Sequence, residues 1–388
     1  MSDDRTMDPI SPCLLSRRAF VKASGAAGLA AGIPLLGLPR ARGDAASATP
    51  PGDAAPAAAT SPAAAAGVNT LRGLAAKKGL VLGSAFSNTA FRKDPTYGEV
   101  LAREFNCLVA ENSMKLSGIQ RVRGEFDFTR PDAMMAFAAA HDMQVRAVPL
   151  VWHDALPQWA EGKTFPREEA LDILREHIFA VMRHFRGRIC AWDVLNEGLA
   201  DKGPGLRKEG PWFHSIGPDY VEKVYHLAHE ADPEALLFYN DFDMDGMSEK
   251  ADRCYLWIKE LLARGVPIHG IGLQYHVKVE RHPSPAEVTR NIRRFNDLGL
   301  HVHITELDVW LPAQATAQHL QQQAAIYRGV IETALAAQKC PAVMLWGFTD
   351  RYSWVPGTSG GTYDHALIFD RDYHPKPAYA AIAEALRS

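Results

Sequence analysis

From Leu71 onward the chain alternates two hydrophobic rhythms. Short apolar runs rich in β-formers recur at 79–86, 105–112, 144–152, 189–197, 235–241, 268–276, 301–309 and 342–350. Between them lie longer segments whose apolar residues return every three or four positions, such as "REEALDILREHIFAVMRHF" and "AQHLQQQAAIYRGVIETALAAQ". The first rhythm predicts buried strands and the second amphipathic helices. Strands alternating with helices imply parallel pairing through right-handed crossovers. Eight such units predict an α/β protein, a (β/α)8 TIM barrel forming a single domain over residues 71–388. In that architecture the active site lies at the C-terminal ends of the strands.

Those ends are polar. The second run stops at Glu111, Asn112 and Lys115, the third at Trp152 and His153, and the fourth at Asn196 and Glu197. The fifth stops at Asn240 and Asp241, the sixth at Gln274 and His276, the seventh at Glu306 and Asp308, and the eighth at Trp346 and Asp350. One polar strand end is a loop or a cap; seven converging on one rim suit a hydroxyl-rich ligand.

Side-chain alternation sharpens the expectation. Val302, Ile304, Glu306 and Asp308 share one face of the seventh run; Gly270, Gly272, Gln274 and His276 share one face of the sixth. If both faces point inward, His276 meets Glu306 and Asp308, and His301 and His303 turn toward the helices. Glu197 shares its face with Asp193 and Asn196 does not, so both reach the rim only through a bulge or turn. Two carboxylates from different strands, Glu197 and Glu306, then face one cavity. That pair can cleave a glycosidic bond, one carboxyl protonating the leaving oxygen while the other attacks the anomeric carbon or activates water. Trp152, Trp346 and Trp354 offer faces for sugar rings, whereas Trp192, on the opposite face from Glu197, reads as core.

Rival chemistries are less well supplied. His153, His276, Glu306 and Asp308 could be imagined as metal ligands, but the chain has neither an HxH pair on its first strand nor HExxH, so no metal is expected. "KGPGLRKEG" has glycines but does not lie between a strand and a helix start, so it is not a phosphate loop. The net charge of −3 with intermixed acids and bases gives no stripe for nucleic acid.

The first seventy residues follow a different logic. "SRRAFVKASGAAGLAAGIPLLGLPRARG" pairs Arg17 with Arg18 ahead of a short, weakly apolar stretch and resembles a twin-arginine export signal. The stretch is interrupted by Gly32, Pro34 and Pro39, too soon for the ~20 apolar residues of a membrane span. A signal over 1–48, cleaved between Ala45 and Ala48, and an Ala/Pro-rich linker over 49–70 are expected. The expected destination is the periplasm or the exterior, without stable membrane association. Cys107, Cys190, Cys254 and Cys340 are far apart and lack metal-ligand spacing, so all four read as small buried apolar residues.

With the motifs in view, the chain resembles glycoside hydrolase family 10, whose main members are retaining endo-1,4-β-xylanases. The likeness runs from about Leu80 to the C-terminus through "AENSMK", "LVWHDALPQW", "WDVLNE", "FYNDFD", "GIGLQYH", "ITELDV", "WGFTDRYSW" and "PKPAY". It implies Glu197 as acid/base, Glu306 as nucleophile, and His276 and Asp308 as residues that hold the nucleophile. It further implies Asn196 at the sugar 2-hydroxyl, Gln274 beside the acid/base, and Glu111, Asn112 and Lys115 on the glycone sugars. Trp346 and Trp354 would wall the cleavage subsite, with Trp152 and His153 also binding substrate. Three departures stand out. Val148 replaces a histidine and Ala155 a glutamine of the family pattern, and "NDFD" puts Phe242 and Asp243 on the aglycone side. Val148, on the face of Trp152, is expected to point into the barrel below the cleavage subsite. The resemblance implies no cofactor, a polysaccharide or oligosaccharide substrate and a monomer. Shifted specificity (aryl glycosides, decorated oligosaccharides, glucosides) and a carbohydrate-binding homologue with impaired catalysis remain open alternatives.

Overall fold

Parallel strands wind around a closed core in the order the alternation predicts. The structure is a computed structural model describing residues 69–388; the expected export signal and nearly all of the expected linker lie outside the described residues. The strands are β1 (Val81–Phe86), β2 (Cys107–Ala110), β3 (Gln144–Arg146), β4 (Trp192–Asn196), β5 (Leu237–Asp241), β6 (Gly270–Leu273), β7 (His276–Lys278), β8 (His301–Pro312), β9 (Ala342–Leu345) and β10 (Tyr363–Asp364). Eight of them pair side by side in the order β3-β2-β1-β9-β8-β6-β5-β4, every pair parallel. The ring closes between β3 and β4 through the parallel bridges Ala147↔Trp192 and Val151↔Leu195. Among the described residues no helix is long and apolar enough to cross a membrane.

The helices pack an apolar stripe against this ring. In the helix Arg167–His184 the buried positions are Ala170, Ile173, Leu174, His177, Ile178, Val181 and Met182, a three-four spacing that keeps one face inward. The helix Ala317–Ala336 starts on Thr316, whose side chain accepts from His319 N. Its inner face includes Ile326, Tyr327, Val330 and Ile331.

Inside the barrel, beneath the rim, Arg146 and Asp193 form a bidentate ion pair at 2.6 and 2.5 Å. Arg146 lies 5.5 Å from the centre of the Phe238 ring, which packs 4.3 Å from His303. These contacts join side chains from β3, β4, β5 and β8, some of which are not neighbours, so the side chains meet across the barrel interior. Burial holds His303 well below the ordinary histidine range, so it is neutral there. This reverses the expectation that His303 faces the helices. Gly272 pairs with His303, so the two share a face. A Cβ at Gly270 would run into the Phe238 ring, and one at Gly272 into Asn240 Oδ1.

Trp192 is core, as expected. Cys107, Cys254 and Cys340 are buried, whereas Cys190 is only half-buried, against the reading of all four as interior residues.

Candidate active site

Two bulges bring the carboxylates to one rim. Between Ile304 and Leu307 the register of β8 against β9 shifts by one residue. Simple alternation would send Glu306 outward, because His303 is inward; the extra residue turns Glu306 in beside Thr305. On β4 the register against β5 shifts between Asp193 and Leu195. Glu197 then adopts φ +53°, a left-handed conformation uncommon outside glycine. Its backbone is held on both sides, by Glu197 N donating to Asn240 O at 2.8 Å and by Arg207 Nε donating to Glu197 O at 2.9 Å. Arg207 is itself tied to Asp201. The bulge or turn that the sequence required at Asn196–Glu197 is present.

Glu306 is nearly buried and fully engaged. Asn240 Nδ2 donates to Oε1 at 2.8 Å, and His276 Nε2 lies 3.2 Å from Oε2. The other ring nitrogen of His276 is 2.9 Å from Asp308 Oδ1. Asp308 is completely buried and also accepts the indole N–H groups of Trp310 and Trp354, each at 2.7 Å. Burial opposes a charge on His276, but the Asp308 carboxylate and the contact with Glu306 outweigh it and push the ring up to about 10. His276 is therefore an imidazolium at neutral pH, with both N–H groups aimed at carboxylates. Burial likewise pushes Glu306 up, yet the hydrogen bond and charge of His276, the Asn240 amide and the Lys115 charge leave it below the ordinary glutamate range. Glu306 is held anionic, the form a nucleophile needs.

Glu197 has a different set of partners. Gln274 Nε2 donates to Oε1 at 3.0 Å and Trp152 Nε1 to Oε2 at 3.0 Å. Asn196 Oδ1 accepts from Asn240 Nδ2 at 2.8 Å and from Gln274 Nε2 at 3.3 Å. Asn240 thus joins Asn196 to Glu306, and its own oxygen accepts from Thr305 Oγ1 at 2.6 Å. The arrangement leaves one carboxylate fixed by a cation and the other by neutral donors, the asymmetry acid/base chemistry needs.

A cavity of about 600 Å³ opens above them. Glu197 and Glu306 line it together with Glu111, Asn112, Lys115, Trp152, Asn196, Gln274, His276, Trp346 and Trp354. Lys115 Nζ donates to Asn112 Oδ1 at 3.0 Å and stands 4.9 Å from the Trp152 ring centre and 5.9 Å from that of Trp346. Burial lowers the Lys115 ammonium pKa, against the nearby charge of Glu306, and burial raises the Glu111 carboxyl.

The expectations at His153, Asp241 and Asp350 need correction. His153 does not line the cavity; it is half-buried, its ring edge-on to Trp152 at 5.7 Å and its Nδ1 3.9 Å from Glu197 Oε2. Val148 is buried, and the cavity wall beside it is formed by Pro149. Asp241 and Asp350, polar strand ends in the sequence, serve the scaffold. Asp241 binds Lys250 Nζ at 2.7 Å and Tyr239 Oη at 2.5 Å; Asp350 binds Lys376 Nζ at 2.9 Å and Leu367 N at 2.9 Å. Conversely, the bridging role of Asn240 and the support from Trp310 and Thr305 were not assigned from the sequence. The "FYNDFD" segment was the available signal for Asn240. Among the described residues no three His, Cys, Asp or Glu side chains are arranged to hold a metal ion.

Comparison with known proteins agrees with this geometry. The profile of Glycosyl hydrolase family 10 matches residues 70–385. Endo-1,4-beta-xylanase B of Thermotoga neapolitana is 41% identical over 319 residues, 81% of this chain and 91% of the relative. Among solved structures, native xylanase 10B of Thermotoga maritima superposes with a TM-score of 0.78 at 40% identity, over 82% of this chain and 98% of that one. Xylanase 10B of Thermotoga petrophila in complex with xylobiose gives a TM-score of 0.78 at 40% identity, over 82% and 97% of the two chains. An eight-stranded barrel, two glutamates on bulged strand ends and a match over nearly all described residues lead to one assignment: the chain belongs to glycosyl hydrolase family 10.

Proposed function

We propose that the protein is a retaining endo-1,4-β-xylanase that cleaves xylan or xylo-oligosaccharides by double displacement. The observation that carries this reading is the unlike environment of the two glutamates in one cavity: Glu306 against the His276 imidazolium, and Glu197 against the neutral donors Gln274 and Trp152. In the first step a Glu306 oxygen attacks the anomeric carbon. The glycosidic C–O bond breaks and Glu197 gives its proton to the departing oxygen, leaving a glycosyl ester on Glu306. In the second step Glu197, now a carboxylate, takes a proton from water. That water attacks the same carbon and Glu306 leaves. Gln274 and Trp152 each take one acceptor site on a different Glu197 oxygen, so each oxygen keeps a second site through which the carboxyl can give its proton in the first step and take one in the second.

Asn196, Asn240 and Gln274 form the polar floor under the reacting sugar. Glu111, Asn112 and Lys115 supply hydrogen bonds to sugar hydroxyls on one side of the cleavage point, and Trp152, Trp346 and Trp354 supply ring faces. Support for a xylan-type substrate comes from the xylobiose complex of the Thermotoga petrophila relative. Export through a twin-arginine route and a monomeric state belong to the same proposal.

The test is reducing-sugar release from xylan, with the anomer of the first-formed product followed by NMR. Retention of the β configuration is expected, with the two carboxyl groups about 5 to 5.5 Å apart. An α product would mean a single displacement and would remove Glu306 as nucleophile.

Gly272→Ala probes the floor. The added methyl would meet Asn240 Oδ1 and Thr305 Cγ2, so Asn240 must move and lose its bridge between Asn196 and Glu306. A stability loss of about 1–3 kcal/mol is expected from overpacking, together with a fall in kcat that exceeds any change in KM. Thermal melting and steady-state turnover of a xylo-oligosaccharide check it.

A further inference from the structure

A second cavity of about 450 Å³ adjoins the reaction cavity. The two share Asp243, His276, Lys278, Arg281 and Trp310 as a common wall. The second cavity has no wall in common with Glu111, Asn112 or Lys115, so it continues the cleft away from them.

Two cations on that common wall stand out. Among the described residues neither Lys278 nor Arg281 has a carboxylate at ion-pair distance. Nearby, Lys250 pairs with Asp201 and Asp241, Arg207 pairs with Asp201, and Arg294 pairs with Asp252. The main chains of the two residues are tied to each other. Lys278 N donates to Arg281 O at 3.3 Å and Arg281 N to Lys278 O at 2.9 Å, so the two residues face each other across the Val279–Glu280 turn. Lys278 is also held by pairing with Trp310 on β8. Its ammonium stands 4.4 Å from the centre of the Tyr363 ring and 5.8 Å from that of Trp310. Glu280, the nearest acid in sequence, is engaged elsewhere, accepting from Tyr363 Oη at 2.5 Å. The other acids of the second cavity are Asp201, Asp243, Asp245, Glu249 and Glu287. Asp201 is spent on Lys250 and Arg207, Asp245 accepts from Tyr275 N, and Glu287 caps its helix through Ser284. Asp243 and Glu249 are exposed. Asp243 is the acid on the shared wall, where Lys278 and Arg281 exceed it by one positive charge, while Asp245, Glu249 and Glu287 put their carboxyl groups on the other walls of the second cavity.

A single cation beside aromatic faces can serve neutral hydroxyls, as Lys115 is proposed to do; two held side by side on the path out of the reaction cavity suit an anionic group better than a neutral sugar chain. We propose that Lys278 and Arg281 form a subsite for a carboxylate-bearing branch of the substrate, a uronic acid carried on the sugar backbone in the part of the cleft leading from Glu197 and Glu306 into the second cavity. The guanidinium presents paired N–H donors to the carboxylate, the ammonium adds a point charge, and Trp310 on the shared wall offers a flat surface for the branch ring. The inference rests on the xylanase reading above, and makes the protein selective for acidic xylan.

The test compares a glucuronic-acid-substituted xylo-oligosaccharide with its carboxyl-reduced counterpart, which has the same size and linkage but no charge. The readout is the ratio of kcat/KM on the two, so a general loss in a variant cancels. The wild-type ratio should exceed one by about three- to tenfold at low salt, the scale of two partly exposed charge contacts. It should fall toward one in about 0.5 M NaCl, where screening is short-ranged. K278Q/R281Q should bring the ratio to about one, and K278R/R281K should keep most of it, which separates charge from fold. A wild-type ratio of one, or a ratio that K278Q/R281Q leaves in place, overturns the proposal. Hydrolysis of unsubstituted xylo-oligosaccharide by the wild type is measured alongside. Its absence would defeat the xylanase reading itself, whereas its presence with a ratio of one defeats only the subsite.

Discussion

Glu306→Ala is expected to remove turnover of every glycoside, by more than about four orders of magnitude in kcat, the scale on which enzymes lose activity with their nucleophile. The carboxylate sits between Asn240 and the His276 imidazolium, and no other described carboxylate shares that position. Glu197→Ala should behave differently. Xylan, whose leaving group is a sugar alkoxide, should lose about 10²- to 10⁴-fold, the usual worth of general acid catalysis. An aryl glycoside with a good leaving group needs little protonation, so its first step should survive and the glycosyl-enzyme should accumulate. Added azide should then raise the rate by attacking that ester without base assistance. Steady-state kinetics on both substrate types, with and without azide, decide the matter. Equal losses on xylan and the aryl glycoside in both variants would break the division of roles.

His276→Ala is expected to lower kcat by about 10- to 100-fold, the range for residues that orient a reacting group, with a smaller change in KM. The charge of His276 helps keep Glu306 below its ordinary pKa, so its loss should move the acidic limb of kcat/KM to higher pH. Asp308→Asn should act in the same direction more weakly, because it removes the carboxylate that keeps His276 protonated. A second readout follows from linkage. His276 is raised from about 6.5 to about 10 on folding. The stability it contributes is therefore complete below about pH 6.5 and lost as pH rises toward 10. His276→Ala should flatten the decline of Tm with pH in that window. Variants with wild-type kcat and an unmoved acidic limb would remove the positioning role.

Glu197, Glu306, His276 and Asp308 were legible because each ends an apolar run, and a barrel gathers strand ends on one rim. The path by which they reach it was less legible. Strict alternation placed His303 outward and Glu306 inward on one regular strand, while the structure has His303 inside and a bulge that turns Glu306 in after it. The answer at Glu306 was right and the register behind it was not. A one-residue bulge leaves no mark in a hydrophobic pattern, since it depends on what the neighbouring strand offers at that level.

The same limit explains the acids. Asp241 and Asp350 look in sequence like Glu306, but Lys250 and Lys376, 9 and 26 residues further along the chain, bind them into the scaffold. Asn240 shows the reverse, an ordinary strand-end amide that becomes the bridge under the site. The sequence by itself determined the eight-unit alternation, the rim and the pair of glutamates, because periodicity and residue type are local properties that burial enforces. Tertiary structure alone decided which polar ends face the cavity, which are consumed by buried cations, and which cations remain without a carboxylate. Those outcomes depend on partners far away in the chain, and the energy of a buried charge is set by the partners that surround it.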